Sequence, residues 1–396
     1  PEAAFLASAA RRLGLTPRLL ATDFCTTRDG FLAAVREARP AGVVFFDAVE
    51  WREIVTLLAG FALEAGAPRV IVAGASLADP ATRPEPQAAG VLAAPDLPSF
   101  ARALGADGPA PAIAELPLDL DVFGGPALLD RALGASLFGD LGSVPLVAVR
   151  APRSASSPCA ASARFEGALA DGRREALPPA VAHAPLERVG AAAKAVEWWD
   201  RDAFDLTLLH PAWAKGGAAD RAYFEPVRER GLRQTVRLNA RTPVPMLETL
   251  AGFGVDRVVF DCDALEDRER VPGATASAAE VARAAGEARS VGLETGVLFC
   301  VGLPDETPDD TARRCDALRA ADLDRLRVIP FEPTGGAAAE WCRRRGAWPP
   351  EGARWNRELH HPLRQPHLGR DAFVRSFETA LLLAAEIQTR DAGAPR

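Results

Sequence analysis

The residues with the most chemical potential fall in a few places. Residues 296–310 read Gly-Val-Leu-Phe-Cys-Val-Gly-Leu-Pro-Asp-Glu-Thr-Pro-Asp-Asp, an apolar strand that breaks at Gly302 and Pro304 before acids open a helix. Thr307 is placed as the N-cap, and Asp309 and Asp310 stand where the helix dipole favours negative charge. Gly302 and Pro304 either let backbone approach a flat ligand or simply shape the loop. Six cysteines (Cys25, Cys159, Cys262, Cys300, Cys315 and Cys342) are scattered with no CxxC pair, too sparse for a disulfide framework and in keeping with a reducing cytoplasm. Cys262 and Cys300 read as small buried hydrophobes. His360, His361 and His367 with Glu358 have the composition of a metal set, but Pro362 and Pro366 break the spacing, and no metal is expected there. There is no Ser/His/Asp signature, P-loop or GxGxxG fingerprint.

The elements that must position these residues alternate. Helical periodicity over residues 3–14 is followed by a strand candidate, Pro17 to Phe24. Then come helix 28–39, strand 42–47, helix 50–65, strand 69–74, a weaker strand 90–94 and helix 98–104. Such alternation implies a parallel, doubly wound sheet whose ligand crevice lies at the carboxyl ends of the strands, so Asp47, Ala48, Gly74, Ala75 and Ser76 are candidate wall residues. Residues 107–126 are rich in proline and glycine and hold no sustained period, which marks a boundary. A second series has strands at 145–151, 204–210, 234–239, 257–262, 294–301 and 325–330. Its helices fall near 186–199, 218–230, 244–253, 277–291, 308–321 and 336–345. Six β/α units make a partial barrel with its chemistry on the loops after the strands. The tail holds a Pro/His-rich segment and one amphipathic helix near 371–388, read as a cap. Trp198, Trp199 and Trp213 are expected to pack in the core or an interface, and Arg343 to Arg345 to be a solvated helix end.

Composition narrows the function classes. The 396 residues carry a net charge of −7 with 48% hydrophobic and 25% charged residues, enough for a large core and unlike a disordered chain. A pI near 5.5 gives no general attraction to nucleic acid or anionic membrane, and no apolar run spans a bilayer. A soluble cytoplasmic protein is expected. The first residue is Pro1, so further residues, including the first strand of the sheet, are expected to precede it.

The run GLPDETPDD, with GATASAAEVARAAGEARSVGLETGVLF before it and RLRVIPFEPTGG after it, resembles the radical SAM superfamily, in its branch with an N-terminal cobalamin (B12)-binding domain. The likeness follows element order over residues 1–345 and is strongest at 273–334. It implies an α/β chain in which a doubly wound, Rossmann-like, B12-binding-type domain (1–106) and a linker (107–143) lead to a partial (β/α)6 TIM-type barrel (144–345) and a helical C-terminal segment (346–396). The family signature is C-x3-C-x2-C after the first barrel strand, because three thiolates hold three irons of a [4Fe-4S] cluster while S-adenosylmethionine (SAM) chelates the fourth. Aligned on Arg153, those positions here are Ala155, Cys159 and Ser162, so one thiol stands where three are needed and no [4Fe-4S] cluster is expected.

By the same resemblance, Asp263 and Arg237 face the barrel mouth as part of a SAM or substrate pocket with Gly302, Pro304 and Glu306. An Asp/Arg pair there either binds the amino and carboxylate ends of an amino acid or is a structural ion pair. Cobalamin is implied between sheet and barrel, beside Asp47, Ala48, Gly74, Ala75 and Ser76. No histidine precedes His183 to ligate cobalt from the first domain. The leading expectation is a radical SAM-like protein without its cluster, acting as a non-catalytic binding protein or as a partner subunit of an active paralogue. The alternatives are an enzyme of non-radical SAM- or cobalamin-dependent chemistry, such as methyl transfer, and an active radical enzyme with an atypical cluster. A small-molecule ligand is compatible with each, and neither nucleic acid nor membrane is an expected partner.

Overall fold

Strands that are apolar on both faces need cover on both faces, and the computed structural model meets that need with two parallel sheets and their helices. It describes residues 2–20, 27–46, 52–73, 90–94, 96–106, 109–111, 116, 119, 143–146, 149–150, 175–189, 193–198, 218–331, 336–347 and 369–393. In the first part, strands β1 (Val43–Phe46), β2 (Val70–Ala73) and β3 (Val91–Ala94) pair in parallel in the order β1-β2-β3. Helices α2 (Arg28–Ala38) and α3 (Arg52–Glu64) cover one face through Phe31, Val35, Ala59 and Ala62. Helices α1 (Glu2–Arg12) and α4 (Leu97–Ala103) join the larger core with Ile71, Ala73 and Ala94 of the other face. The arrangement is Rossmann-like. Among the described residues the strand order is sequential, without the reversal that a doubly wound sheet has. Residues 15–20 form no strand, and the rest of the strand expected to Phe24 lies outside the described residues.

The second sheet has six strands in the order β11-β10-β9-β8-β7-β4, every neighbour parallel: β4 (Ser143–Leu146), β7 (Ala195–Trp198), β8 (Arg233–Leu238), β9 (Arg257–Cys262), β10 (Glu294–Val301) and β11 (Arg325–Pro330). Consecutive order with parallel pairing is a half-barrel. Its outer layer comprises α5 (Pro179–Val189), α6 (Ala218–Glu229), α7 (Val244–Gly252), α8 (Ala278–Ser290) and α9 (Pro308–Ala320). A short antiparallel pair, β5 (Val149–Arg150) with β6 (Glu175–Ala176), follows the first barrel strand.

The second barrel strand differs from expectation. It lies at Ala195–Trp198, inside the stretch read as helix 186–199, while 204–210 lies outside the described residues. The helix ends at Val189, just before Gly190. Beyond it Val196 and Trp198 alternate with Glu197 at the two-residue period of a strand, a signal too short to override the helical pattern before it.

Two separate apolar clusters record the two faces of the half-barrel. Val236, Val258, Phe260, Val297 and Phe299 point outward with Leu250, Val281, Ala284 and Leu318 of the helices. Val259, Leu298, Cys300 and Ile329, at the alternate positions, form a second cluster with α10 (Gly336–Arg344). The helix after the sixth strand therefore lies against the inner face. The tail helix α11 (Arg370–Gly393) packs Phe373, Ala380, Leu383 and Ile387 into the outer core beside Leu318 and Leu326, and so serves as the sixth outer helix.

Trp198 is fully buried in that outer core, edge-on to His183 and Tyr223 at centroid distances of 5.8 and 6.1 Å. His183 donates from Nε2 to the Tyr223 carbonyl at 2.7 Å. Burial holds its imidazole below the ordinary value of 6.5, with Arg230 adding to the effect and the Tyr223 carbonyl and Glu187 opposing it. A histidine whose folded pKa is depressed binds a proton more readily when unfolded, so its contribution falls as pH drops through the unfolded value. Thermal unfolding followed by circular dichroism should show a midpoint that declines between about pH 7 and pH 5.5, and His183→Gln should flatten that decline. An unchanged slope in the variant would assign the effect to other groups.

Candidate functional site

Chemistry on this architecture belongs at the carboxyl ends of the barrel strands, and there the turn from β10 to α9 is built around one carboxylate. Gly302 (φ +85°) and Asp305 (φ +65°) take left-handed backbone, which folds the strand end back on itself. Glu306 is fully buried inside that turn. Its Oε2 accepts from the Gly302 and Leu303 amides at 2.6 and 2.9 Å, and its Oε1 from Thr311 Oγ1 at 3.0 Å. The helix then starts with a reciprocal cap between Thr307 and Asp310, so Thr307 is the N-cap that the sequence indicates.

Arg314, one and a half turns into α9, completes the arrangement. Its Nη1 donates to Glu306 Oε1 at 2.5 Å, and its Nη2 reaches the carbonyls of Cys262 and Cys300 at 3.0 and 2.9 Å. The guanidinium lies over the Phe299 ring, 4.5 Å from its centroid. One side chain thus binds carbonyls at the carboxyl-terminal ends of two adjacent strands, the last of β9 and the next to last of β10, and neutralises the turn's carboxylate. Burial works against its charge, and the Glu306 carboxylate more than offsets that, raising its pKa.

In sequence, Gly302 and Pro304 either let backbone approach a flat ligand or shape the loop, and Glu306 is a candidate pocket residue. The structure gives the Gly302 amide and the Glu306 carboxylate internal partners instead, so these donors and acceptors hold the turn. Arg314 was missed altogether. A lone arginine in an amphipathic helix has no signature in sequence, and only the long reach of its side chain beneath two strands reveals the role.

Arg237 and Asp263 do not pair. Arg237 makes a two-pronged bond to Asp261, Nε to Oδ1 at 3.0 Å and Nη2 to Oδ2 at 2.5 Å, with both residues 1% exposed. Asp263 Oδ1 instead accepts from the Thr275 amide and hydroxyl at 2.6 and 3.0 Å and from the Ala276 amide at 3.2 Å, fixing the loop that leads into α8. The choice follows from register. Arg237 stands opposite Val259, so Asp261, two residues on and on the same face, is its diagonal neighbour. That two-residue alternation was the available signal for Asp261. Glu197 and Thr235 lie opposite each other nearer the base of the same face, both buried.

The four described cysteines are all buried. Cys262 lies under Arg314, with Sγ 3.6 Å from Nη2, and burial pushes its thiol up to about 12. Burial likewise raises Cys315 to about 11. Cys300 and Cys342 belong to the inner-face cluster. Among the described residues no group of three or more His, Cys, Asp or Glu is placed to hold a metal. Ala155, Cys159 and Ser162 lie outside the described residues, as do Cys25, Trp199, Trp213, and His360, His361, His367 and Glu358. So do Asp47, Ala48, Gly74, Ala75 and Ser76, which in the chain directly follow the carboxyl ends of β1 and β2.

The buried pair makes a measurable claim. Arg314→Met should lower stability by about 3–5 kcal/mol in urea unfolding, since it strands a buried carboxylate. Glu306→Leu should cost at least as much, and the double variant should fail to recover the loss, because the Gly302 and Leu303 amides and the Thr311 hydroxyl still lack their acceptor. Recovery in the double variant would mean that the ion pair, and not the anchoring of the turn, is what matters.

Comparison with known proteins bears on the architecture. No family model matches the sequence, and no curated protein does. Among solved structures, the radical S-adenosylmethionine methyltransferase TsrM from Kitasatospora setae, with tryptophan substrate and the SAM analogue aza-SAM bound, matches with a TM-score of 0.58 at 14% identity, over 97% of this chain and 86% of that one. TsrM with cobalamin and a [4Fe-4S] cluster bound gives 0.51 at 16% identity, over 89% and 76%. The cobalamin-dependent S-adenosylmethionine radical enzyme OxsB with aqua-cobalamin bound gives 0.53 at 12%, over 85% of this chain and 51% of that chain. At such identities the likeness concerns architecture, and with the Rossmann-like sheet and parallel half-barrel already in place it leads to one conclusion: this chain has the fold of the cobalamin-dependent radical SAM enzymes.

Proposed function

We propose that this protein uses the radical SAM fold without the iron–sulfur chemistry, as a ligand-binding or partner subunit, in association with an active paralogue. The observation that carries this reading is the donor count. A site-bound [4Fe-4S] cluster needs three thiolates. Four of the six cysteines are packed within the apolar core, and burial disfavours the thiolate at Cys262 and Cys315. That leaves Cys25 and Cys159, and of these only Cys159 stands at a cluster-ligand position in the sequence. The donor set does not fit the cluster. Cobalamin and SAM are the proposed ligand classes, supported by the cobalamin and SAM analogue bound in the TsrM and OxsB structures and by the position of Asp47, Ala48, Gly74, Ala75 and Ser76 just after the ends of β1 and β2 in the chain.

A second reading is non-radical methyl transfer. It is favoured by the Arg237–Asp261 pair, a desolvated ion pair on the inner face of the barrel. In this reading the pair orients a polar substrate and supplies no redox step.

Metal and cofactor analysis of the full chain after anaerobic purification and iron–sulfide reconstitution separates these ideas. The expected result is fewer than about one iron per chain and no 5′-deoxyadenosine from SAM under reductant, together with a copurifying polypeptide. Close to four irons per chain with SAM cleavage would overturn the proposal. A bound corrinoid with SAM-dependent methylation that Asp261→Asn abolishes, without loss of the fold, would select the methyl-transfer reading.

A further inference from the structure

The inner face of the half-barrel near the ends of β9, β10 and β11 is covered by the chain's own α10. Val259, Leu298, Cys300 and Ile329 from the strands, Leu303 from the turn and Phe331 just beyond β11 pack against Ala338, Trp341 and Cys342 of the helix. On a parallel α/β barrel this is the side to which ligands come. The cover is narrow, a helix of nine residues with small side chains on either side of one indole.

Its exposed rim carries a polar latch. Trp341 Nε1 donates to Glu269 Oε1 at 3.1 Å. Arg345 stacks on the Trp341 ring, 4.3 Å from its centroid, while one guanidinium nitrogen bonds Glu269 and another reaches Asp305 Oδ2 at 2.8 Å. Asp305 is in the left-handed region of the β10–α9 turn, and its carbonyl accepts from Arg268 at 2.8 Å. Through these bonds the latch joins the loop after β9, the turn after β10 and the last turn of α10. Arg345, Glu269 and Asp305 are 39%, 63% and 38% exposed in their side chains, so the ion pairs that close it are weak and screened by salt.

We infer that α10 is a strap: it closes the inner face of the barrel and lifts as a unit when the Arg345–Glu269–Asp305 latch is broken. An apolar underside with a salt-sensitive rim gives two states, one with Trp341 seated and one with the inner face open. This inference concerns access to the barrel and does not rest on the absence of a cluster.

The four described cysteines report on the strap without any engineered label. Cys300 of β10 and Cys342 on the underside of α10 belong to the inner-face cluster, whereas Cys262 of β9 and Cys315 of α9 belong to the outer core. Labelling the full chain with N-ethylmaleimide and mapping the products by mass spectrometry gives a separate rate for each of these four cysteines, apart from Cys25 and Cys159. In Arg345→Ala, and in wild type at about 0.5 M salt, Cys300 and Cys342 should label about tenfold faster and in step, with Cys262 and Cys315 unchanged. A rise at all four sites would signal global opening and overturn the strap. A rise at Cys342 alone would mean fraying of one helix and would overturn it too, as would no change in either condition. Should Arg345→Ala not fold, the salt arm on wild type decides the matter, with Glu269→Gln as the second variant.

Discussion

A carboxylate and a guanidinium buried together hold the carboxyl end of this half-barrel. Glu306 gathers two backbone amides and a hydroxyl, and Arg314 gathers that carboxylate and two strand carbonyls. Neither charge is tolerable alone in so apolar a place, and each exists because the other is there. The rest of this face depends on it. If the turn after β10 were loose, Asp305 would not be presented to Arg345, the α10 latch would have no anchor, and the ends of β9 and β10 would carry orphan carbonyls.

The pair also accounts for the state of the thiols nearby. Cys262 sits directly beneath Arg314, yet burial dominates over the neighbouring positive charge and keeps it a thiol. Proximity to a cation is often enough to activate a cysteine, but not when that cation's charge is taken up by a carboxylate and two carbonyls and water is excluded. The residues around the strand ends therefore act as scaffold, and the polar groups on the inner face, Arg237 with Asp261, are a separate set that the strand alternation places toward the barrel interior.

Much of this was legible in sequence wherever a local rule decided the outcome. Alternation of apolar strands with helices identified β8 to β11 and α6 to α10 within a few residues, and Thr307 followed by Asp309 and Asp310 announced the start of α9. Local rules failed at Ala195–Trp198, where four residues are too few to declare a period and the preceding helix carried the reading past its end. They also failed to tell α10 from α11, since both are amphipathic and their sequences do not say which face of the sheet each will cover. That choice belongs to the competition for apolar surface among all the elements at once.

For the site, sequence by itself determined the inventory: six scattered cysteines with no CxxC pair, and acids clustered at the end of the fifth barrel strand. Those are facts of composition and order, and no fold could change them. Only tertiary structure decided the pairings. Arg237 chose Asp261 over Asp263 because parallel register sets the diagonal neighbour. Glu306 turned inward because two amides and an arginine 8 residues further on converge on it. Trp341 came to rest on the inner face because the outer position beside β11 was filled by a helix from the chain's end. A sequence specifies which groups are present; which of them meet depends on distances that only the packed chain defines.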